Sequence, residues 1–354
     1  MRILVLSSQA RNTGSNLRAY YVYKHLKARD TAADYVEPPF NSMPFMLDFL
    51  LSMFYYFFML MNRKYDYVFV VKPYPNTVIP ALMLKAQGAR LIIDIEDLDY
   101  GYRGGALSAV ISSMQRSLVK YADSLTSHNA ELIKLVKKEH PEYDGKIYML
   151  KQAVDMSLFS AGPETRKKAA AYRAAHKGKK ILFYMAHLNI ACYLEDIFRS
   201  LAYIRDPSVI LVVAGGGPMT GYYKNMAAKM GLSGRVEFTG AIKQQEAAAM
   251  AYASDACLVY YKDVPVNRYR ASMKLREYLA LGKKTVATLV GEIRIFKDYI
   301  YGCRPDPGSF ATASMKAIKT LDKKAKKGYK FIKDNFNWKN EARSFYKYLL
   351  DGLK

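Results

Sequence analysis

Short apolar runs alternate with amphipathic stretches along most of the chain. Residues 1–7 (MRILVLS) are strand-like, and 16–27 carry Leu17, Tyr20, Tyr21, Lys24 and Leu26 at helical spacing. The pattern predicts a strand at 35–39, a buried strand at 67–71 (YVFVV), a helix at 77–86 that Gly88 ends, and a strand at 91–95 (LIIDI). A helix at 107–122, a strand at 124–127, a helix at 130–138 and a strand at 146–150 follow. Residues 155–176 are polar, alanine- and lysine-rich, and read as a linker followed by a helix. A second series then begins, with strands at 181–185, 209–214, 236–239, 256–260 and 285–289 and helices at 193–204, 222–230 and 246–253. A basic helical region at 311–333 and a last helix at 340–350 close the chain. Alternation of this kind predicts parallel sheets covered by helices on both faces, in two α/β halves.

One stretch stands outside the pattern. Residues 46–61 (MLDFLLSMFYYFFMLM) are almost continuously apolar and are followed by Asn62-Arg63-Lys64. As a helix they would span about 24 Å, short of the ~30 Å hydrocarbon core of a bilayer, and Asp48 and Ser52 interrupt them. Two readings remain: a helix buried against a sheet, or a helix in the membrane interface with Tyr55, Tyr56, Arg63 and Lys64 at headgroup level.

Charge bears on that choice. The 354 residues carry 54 Lys and Arg against 31 Asp and Glu, a net charge of +23. Such a field attracts phosphorylated substrates, anionic lipid or nucleic acid. No nucleic-acid-binding motif accompanies it, so an anionic membrane surface contacted through 46–64 and the basic residues is the preferred partner. Three scattered cysteines exclude a disulfide framework, and the five histidines form no ligand spacing, so no metal site is expected. Residues 1–6 have no cleavage site after them, and the expected location is cytoplasmic, with peripheral attachment to the inner membrane face as an option.

The segment 272–288 points most directly at chemistry. Ser272 is a good N-cap, Leu275, Leu279 and Leu281 supply an apolar side, and Gly282 suits a left-handed stop. Glu277 then lies early in a helix whose positive end also welcomes phosphate. Further loops beyond strand ends, 8–15, 96–105, 186–193 and 215–218, are rich in Gly, Asn, Ser and carboxylates, as suits a polar ligand in a cleft.

In order along the chain, Tyr121-Ala122-Asp123-Ser124-Leu125-Thr126, Ala153-Val154-Asp155-Met156-Ser157-Leu158-Phe159, Val212-Val213-Ala214-Gly215-Gly216-Gly217-Pro218, Val236-Glu237-Phe238-Thr239-Gly240, the 272–288 segment and Phe336-Asn337-Trp338 resemble the GT-B glycosyltransferases of family 4. The resemblance implies an α/β fold of two Rossmann-like domains facing a central cleft. The first covers 1–160, the second 177–335, and a helix at 336–354 packs back towards the first domain. It implies a retaining, hexosyltransferase-like enzyme that moves a sugar from a UDP- or GDP-sugar to an acceptor hydroxyl, with no obligatory cofactor. A glycan or lipid-linked acceptor at the cytoplasmic membrane face is expected.

By position, Glu277 matches the second carboxylate of the family's Glu-x7-Glu motif, which binds ribose hydroxyls, and Gly14 and Ser15 match the first-domain loop near the donor phosphates. Ser272, Met273, Lys274 and Leu275 would face the diphosphate, with Arg270, Asn189 and Gly216 as further donor contacts. Glu96, Asp97 and His187 are the candidates for catalytic roles, Glu96 standing where many relatives carry a histidine. Two departures matter. Tyr269 occupies the place of the first motif carboxylate, and His187-Leu188-Asn189 lacks the usual Arg-Lys clamp. They motivate a second reading, a catalytically silent GT-B scaffold or sugar-nucleotide-binding protein. A GT-B epimerase is a third, for which no acid/base carboxylates can be placed in the second domain.

Overall fold

A computed structural model of the chain describes residues 1–9, 13–29, 31–39, 45–96, 98, 105–321 and 323–353. In chain order the elements are β1 (Arg2–Ser7), α1 (Gly14–Lys27), β2 (Ala32–Val36), α2 (Phe45–Leu60), β3 (Tyr67–Val71), α3 (Pro75–Ala86), β4 (Arg90–Ile95), α4 (Gly105–Val119), β5 (Ser124–Ser127), α5 (Ala130–Glu139) and β6 (Ile147–Met149). They continue with α6 (Pro163–Ala175), β7 (Lys180–Met185), α7 (Leu194–Tyr203), β8 (Val209–Ala214), α8 (Thr220–Lys229), β9 (Val236–Gly240), α9 (Gln244–Ala253) and β10 (Ala256–Val259). The last are α10 (Met273–Ala280), β11 (Thr285–Thr288), β12 (Tyr301–Cys303), α11 (Pro307–Lys319), α12 (Lys323–Asn335) and α13 (Trp338–Leu350). Two units result: 1–152 with 338–354, and 153–337.

The first unit holds a six-stranded parallel sheet in the order β2-β1-β3-β4-β5-β6. Its central strand β3 is apolar, as suits a strand covered on both faces by helices, and all five of its residues are buried. Thr13 caps α1 by accepting from the Asn16 amide, so Gly14 and Ser15 lie in the first helical turn rather than in the preceding loop. The last helix, α13, belongs to this unit, and the Tyr67 hydroxyl donates to the Leu349 carbonyl at 2.7 Å.

Helix α2 satisfies neither expectation alone. Ser52, Tyr56 and Leu60 are fully buried, whereas Leu47, Leu50, Phe54, Phe57 and Phe58 are exposed. Tyr56 donates to the Ser7 carbonyl at 2.7 Å, which corrects its expected place at headgroup level: its hydroxyl is spent inside the fold. No described helix is long and apolar enough to cross a membrane.

Arg18 of α1 is wholly buried and meets Asp94 of β4 through two bonds, 2.7 and 3.0 Å. It also donates to the Leu150 carbonyl at 2.7 Å and lies 5.7 Å from the Trp338 ring. One side chain therefore joins α1, β4, the segment after β6, and α13.

The second unit has its own parallel sheet, β12-β11-β10-β7-β8-β9. The stretch expected as a linker followed by a helix is part of this unit: its helix, α6, packs along α9, and Arg173 of α6 pairs with Asp255 at 2.9 Å. The basic region expected as one helical stretch is two helices, α11 and α12, and the sequence pattern missed β12.

Removing one partner of a buried, hydrogen-bonded ion pair leaves an uncompensated charge and costs about 3–5 kcal/mol. Asp94→Asn is expected to lower the urea stability of the first unit by that amount, and Arg18→Met with Asp94→Leu to recover most of it. Trp338 is the chain's one tryptophan, so its fluorescence reads this unit alone. An Asp94→Asn transition at the wild-type urea concentration would refute the assignment.

Candidate active site

The strand order of the second unit reverses between β7 and β10, and parallel sheets take polar ligands beyond the strand ends at such a point. The loops there are stitched together. Leu188 donates its amide to the Gly216 carbonyl at 3.0 Å, and Met219 to the Leu188 carbonyl at 3.0 Å. Glycine is required at two positions of this crossing. A Cβ on Gly215 would lie 2.0 Å from the Ala186 carbonyl oxygen, and one on Gly217 would lie 2.5 Å from that of Leu188. At Gly216, the expected donor contact, a Cβ would find ordinary spacing, 3.5 Å from Ala241.

Beyond β10 a short turn, 265–268, brings Asn267 to donate to the Tyr193 hydroxyl at 2.9 Å. Tyr193 itself has left-handed backbone, φ 53°, at the start of α7. Arg270 donates to the Ala191 carbonyl at 3.2 Å and lies 4.4 Å over the Tyr261 ring. These contacts bind the β10 loop to the β7 loop and aim the next element, α10.

Helix α10 starts at the reversal. Ser272 accepts from the Leu275 amide at 3.2 Å, so Leu275, expected to offer its N–H to a diphosphate, has it committed to the cap. The amides of Met273 and Lys274 have no partner within the helix, and these are the ones left to a ligand. Tyr278 fixes the helix to the sheet by accepting from the Met185 amide at 3.0 Å. Arg276, wholly buried, donates to the Ser272 carbonyl at 3.0 Å and to Glu292 at 2.7 Å.

Lys274 and Glu277, three residues apart, share a helix face away from Arg276. The half-buried Lys274 ammonium lies 4.2 Å over the Tyr184 ring, and its neighbours include Cys192, Arg270 and Glu277. Burial depresses it to about 8. Burial also pushes the Glu277 carboxyl up to about 8, with Lys274 pulling the other way. Among the described residues no group hydrogen-bonds the Glu277 carboxylate. An acceptor pair awaiting donors, beside cationic Lys274 and Arg270 and two helix amides, suits vicinal hydroxyls carrying a diphosphate.

Other expected residues lie on the loops after β7 and β4. His187 follows β7 and is exposed; Asn189 accepts from the Ala191 amide at 2.9 Å, a turn-forming role. In the first unit, Glu96 is buried after β4, while Asp97 lies outside the described residues. The Glu96 carbonyl receives the Nε2 proton of His128, and the Asn129 side-chain amide donates to His128 Nδ1 at 2.9 Å, which fixes the neutral tautomer. His128 is thus brought to Glu96 by the pairing of β4 with β5, a neighbour relation with no local signal. Lys72 is a second residue missed: buried after β3 with left-handed backbone, φ 67°, it sits where this sheet also reverses. Among the described residues no three His, Cys, Asp or Glu side chains gather to hold a metal ion.

Residues 165–338 match the model of a family described as glycosyl transferases group 1. No curated protein matches the chain by sequence. Among solved structures, the sucrose-phosphate synthase of Thermosynechococcus elongatus aligns with a TM-score of 0.80 at 15% identity, over 99% of this chain and 100% of that one. HepE of Anabaena in complex with UDP-glucose gives 0.74 at 12%, over 99% and 100%, and a glycosyltransferase from Rickettsia africae 0.72 at 13%, over 100% and 99%. The fold is GT-B.

The raised Glu277 carboxyl makes a stability prediction. The folded chain keeps that proton up to about pH 8, whereas the unfolded chain releases it near its ordinary value of 4.5, so stability falls as pH rises through this window. Lys274, depressed to about 8, gives the opposite slope above pH 8. Glu277→Gln is therefore expected to melt close to wild type near pH 5 and above it at pH 8, by up to a few kcal/mol in order of magnitude. Melting curves across this range check it; a difference independent of pH would contradict the assigned shift.

Proposed function

We propose that this GT-B chain, with its group 1 glycosyl transferase match over 165–338, transfers a hexose from a nucleotide-sugar donor to an acceptor hydroxyl with retention. The observation that carries the proposal is the start of α10. Glu277 accepts the ribose hydroxyls, the Met273 and Lys274 amides meet the diphosphate, and Lys274 and Arg270 supply the charge that the missing Arg-Lys clamp would have given. Leaving-group stabilisation is the main electrostatic need of such a transfer, and an arginine fork answers it well. That solved GT-B proteins are bound to UDP and UDP-glucose makes these the first donors to try. Tyr269 in place of the first motif carboxylate favours one competing reading, a sugar-nucleotide-binding protein without turnover.

The test is a thermal-shift screen over UDP, GDP, ADP and their sugars, followed by donor consumption with the one that binds. Gln keeps one acceptor oxygen and loses the other, a hydrogen bond worth about 1.5–3 kcal/mol when charge-assisted, so Glu277→Gln is expected to lower donor affinity and consumption about tenfold to a hundredfold. Binding without consumption would favour the silent reading, and an unimpaired Glu277→Gln would remove Glu277 from the donor site.

The acceptor in this proposal is lipid-linked and the chain peripheral to the cytoplasmic membrane face. The outward row of α2, with Phe54, Phe57 and Phe58, supports it, as does the net charge of +23. In the second unit, exposed Lys323, Lys326, Lys327, Lys330 and Lys333 on α12 adjoin Leu321, which is 80% exposed. Co-sedimentation with phosphatidylglycerol vesicles is expected at low salt, weakened by high salt and by Phe54→Ser with Phe58→Ser. Absence of binding at low salt would sink the membrane part of the proposal.

A further inference from the structure

A cavity of about 580 Å3 opens along the edge strand β2 of the first unit, between α1 and α2. Its volume falls in the range of about 300–1,000 Å3 common to small-molecule sites. We propose that it is a saccharide-binding subsite for one or two neutral sugar rings of the acceptor. The acceptor role rests on the sugar-transfer reading; the binding does not.

Four tyrosines make its walls, Tyr20, Tyr23, Tyr35 and Tyr55. Glu37 also lines it, and its Oε2 accepts from the Tyr35 hydroxyl and from the Asn16 side-chain amide, both at 2.9 Å. Asn16 also donates to the Tyr35 oxygen at 2.7 Å, so the carboxylate, the phenol and the amide hold one another in place. Burial and the Glu37 charge push the Tyr35 phenol well above its ordinary range, so it stays a neutral donor. A carboxylate fixed in this way, among aromatic rings, is an acceptor set for sugar hydroxyls with apolar surface for the sugar's C–H face.

Two other ligand classes fit less well. An anion would meet Asp34 and Glu37 with Arg63 as the lining cation, and Arg63 already lies 4.0 Å from Asp34. A quaternary ammonium group needs several ring faces converging on it. Here Tyr23 and Tyr35 stack on each other, 5.4 Å apart at 26°, and Tyr20 meets Tyr35 edge-on at 75°. What the cluster offers is edges, hydroxyls and the outer faces of Tyr20, 41% exposed, and the half-buried Tyr55.

The experiment uses the full chain and saturation-transfer NMR with methyl β-glucoside, methyl β-galactoside and maltose, beside choline chloride and inorganic phosphate. At least one saccharide is expected to bind at millimolar strength, and Tyr20→Ala and Tyr55→Ala to weaken it about tenfold each, as for loss of an aromatic platform. The Trp338 fluorescence transition of each variant in urea, expected to remain cooperative, reports that the first unit is folded. Three results would overturn the subsite: no saccharide binding, binding of choline or phosphate in its place, or wild-type saccharide binding by both folded variants. Saccharide binding without any nucleotide binding would instead overturn the sugar-transfer reading and leave the subsite standing.

Discussion

Among the described residues, each unit encloses one arginine at zero exposure, Arg18 in the first and Arg276 in the second, and each gathers groups from several elements. A buried guanidinium costs several kcal/mol unless its hydrogen bonds are met, so its partners are constrained together or not at all. Arg18 collects Asp94, the Leu150 carbonyl and the face of Trp338; without it the last helix would lose a charged reason to sit on the first unit. Arg276 collects Glu292 and the Ser272 carbonyl and lies about 5 Å from the rings of Phe296 and Phe336. Through Ser272 it fixes where α10 begins, and with that where two unpartnered amides point.

The contrast along α10 is instructive. Arg276 has its carboxylate partner inside the scaffold, one face of the helix away from Lys274 and Glu277, whose burial is not repaid by hydrogen bonds. The Arg276 charge is met through Nη1 and Nη2, its buried Nε having no partner among the described residues, while burial pushes Lys274 and Glu277 toward neutrality. Ligand groups that supply hydroxyl donors and negative charge would relieve both shifts at once.

Fully buried parallel strands announce themselves, which is why β3 and β8 were legible as YVFVV and VILVVA. So was α10, through local signals: a serine cap, an apolar side, and Gly282 at φ 66°. Three-residue β12 has no period to detect, and the 155–176 stretch showed its helix but not that this helix packs on α9, because small alanines carry little hydropathy. The site was legible only where it is local. Glu277, Lys274 and Arg270 lie in one segment, whereas Tyr184, Tyr193 and Asn267 join them through strand order, and Arg18 finds Asp94 across 76 positions.

The same limit governs α2. Tyr56 at 0% and Phe58 at 67% exposure stand two residues apart in a run where every neighbour is apolar, so helical periodicity has nothing to contrast. What separates them is a single polar atom. The Tyr56 hydroxyl is bound to the Ser7 carbonyl, and the Asn16 side-chain amide contacts the Ser7 hydroxyl at 3.3 Å, so the helix is tied to the end of β1 and to the first turn of α1. Rolling α2 to hide its outer phenylalanines would strip the Ser7 carbonyl of that bond and bury an unpaired hydroxyl, a cost of about 1–3 kcal/mol for each group left unmet. Its apolar face is therefore held outward by a hydrogen bond on the opposite side.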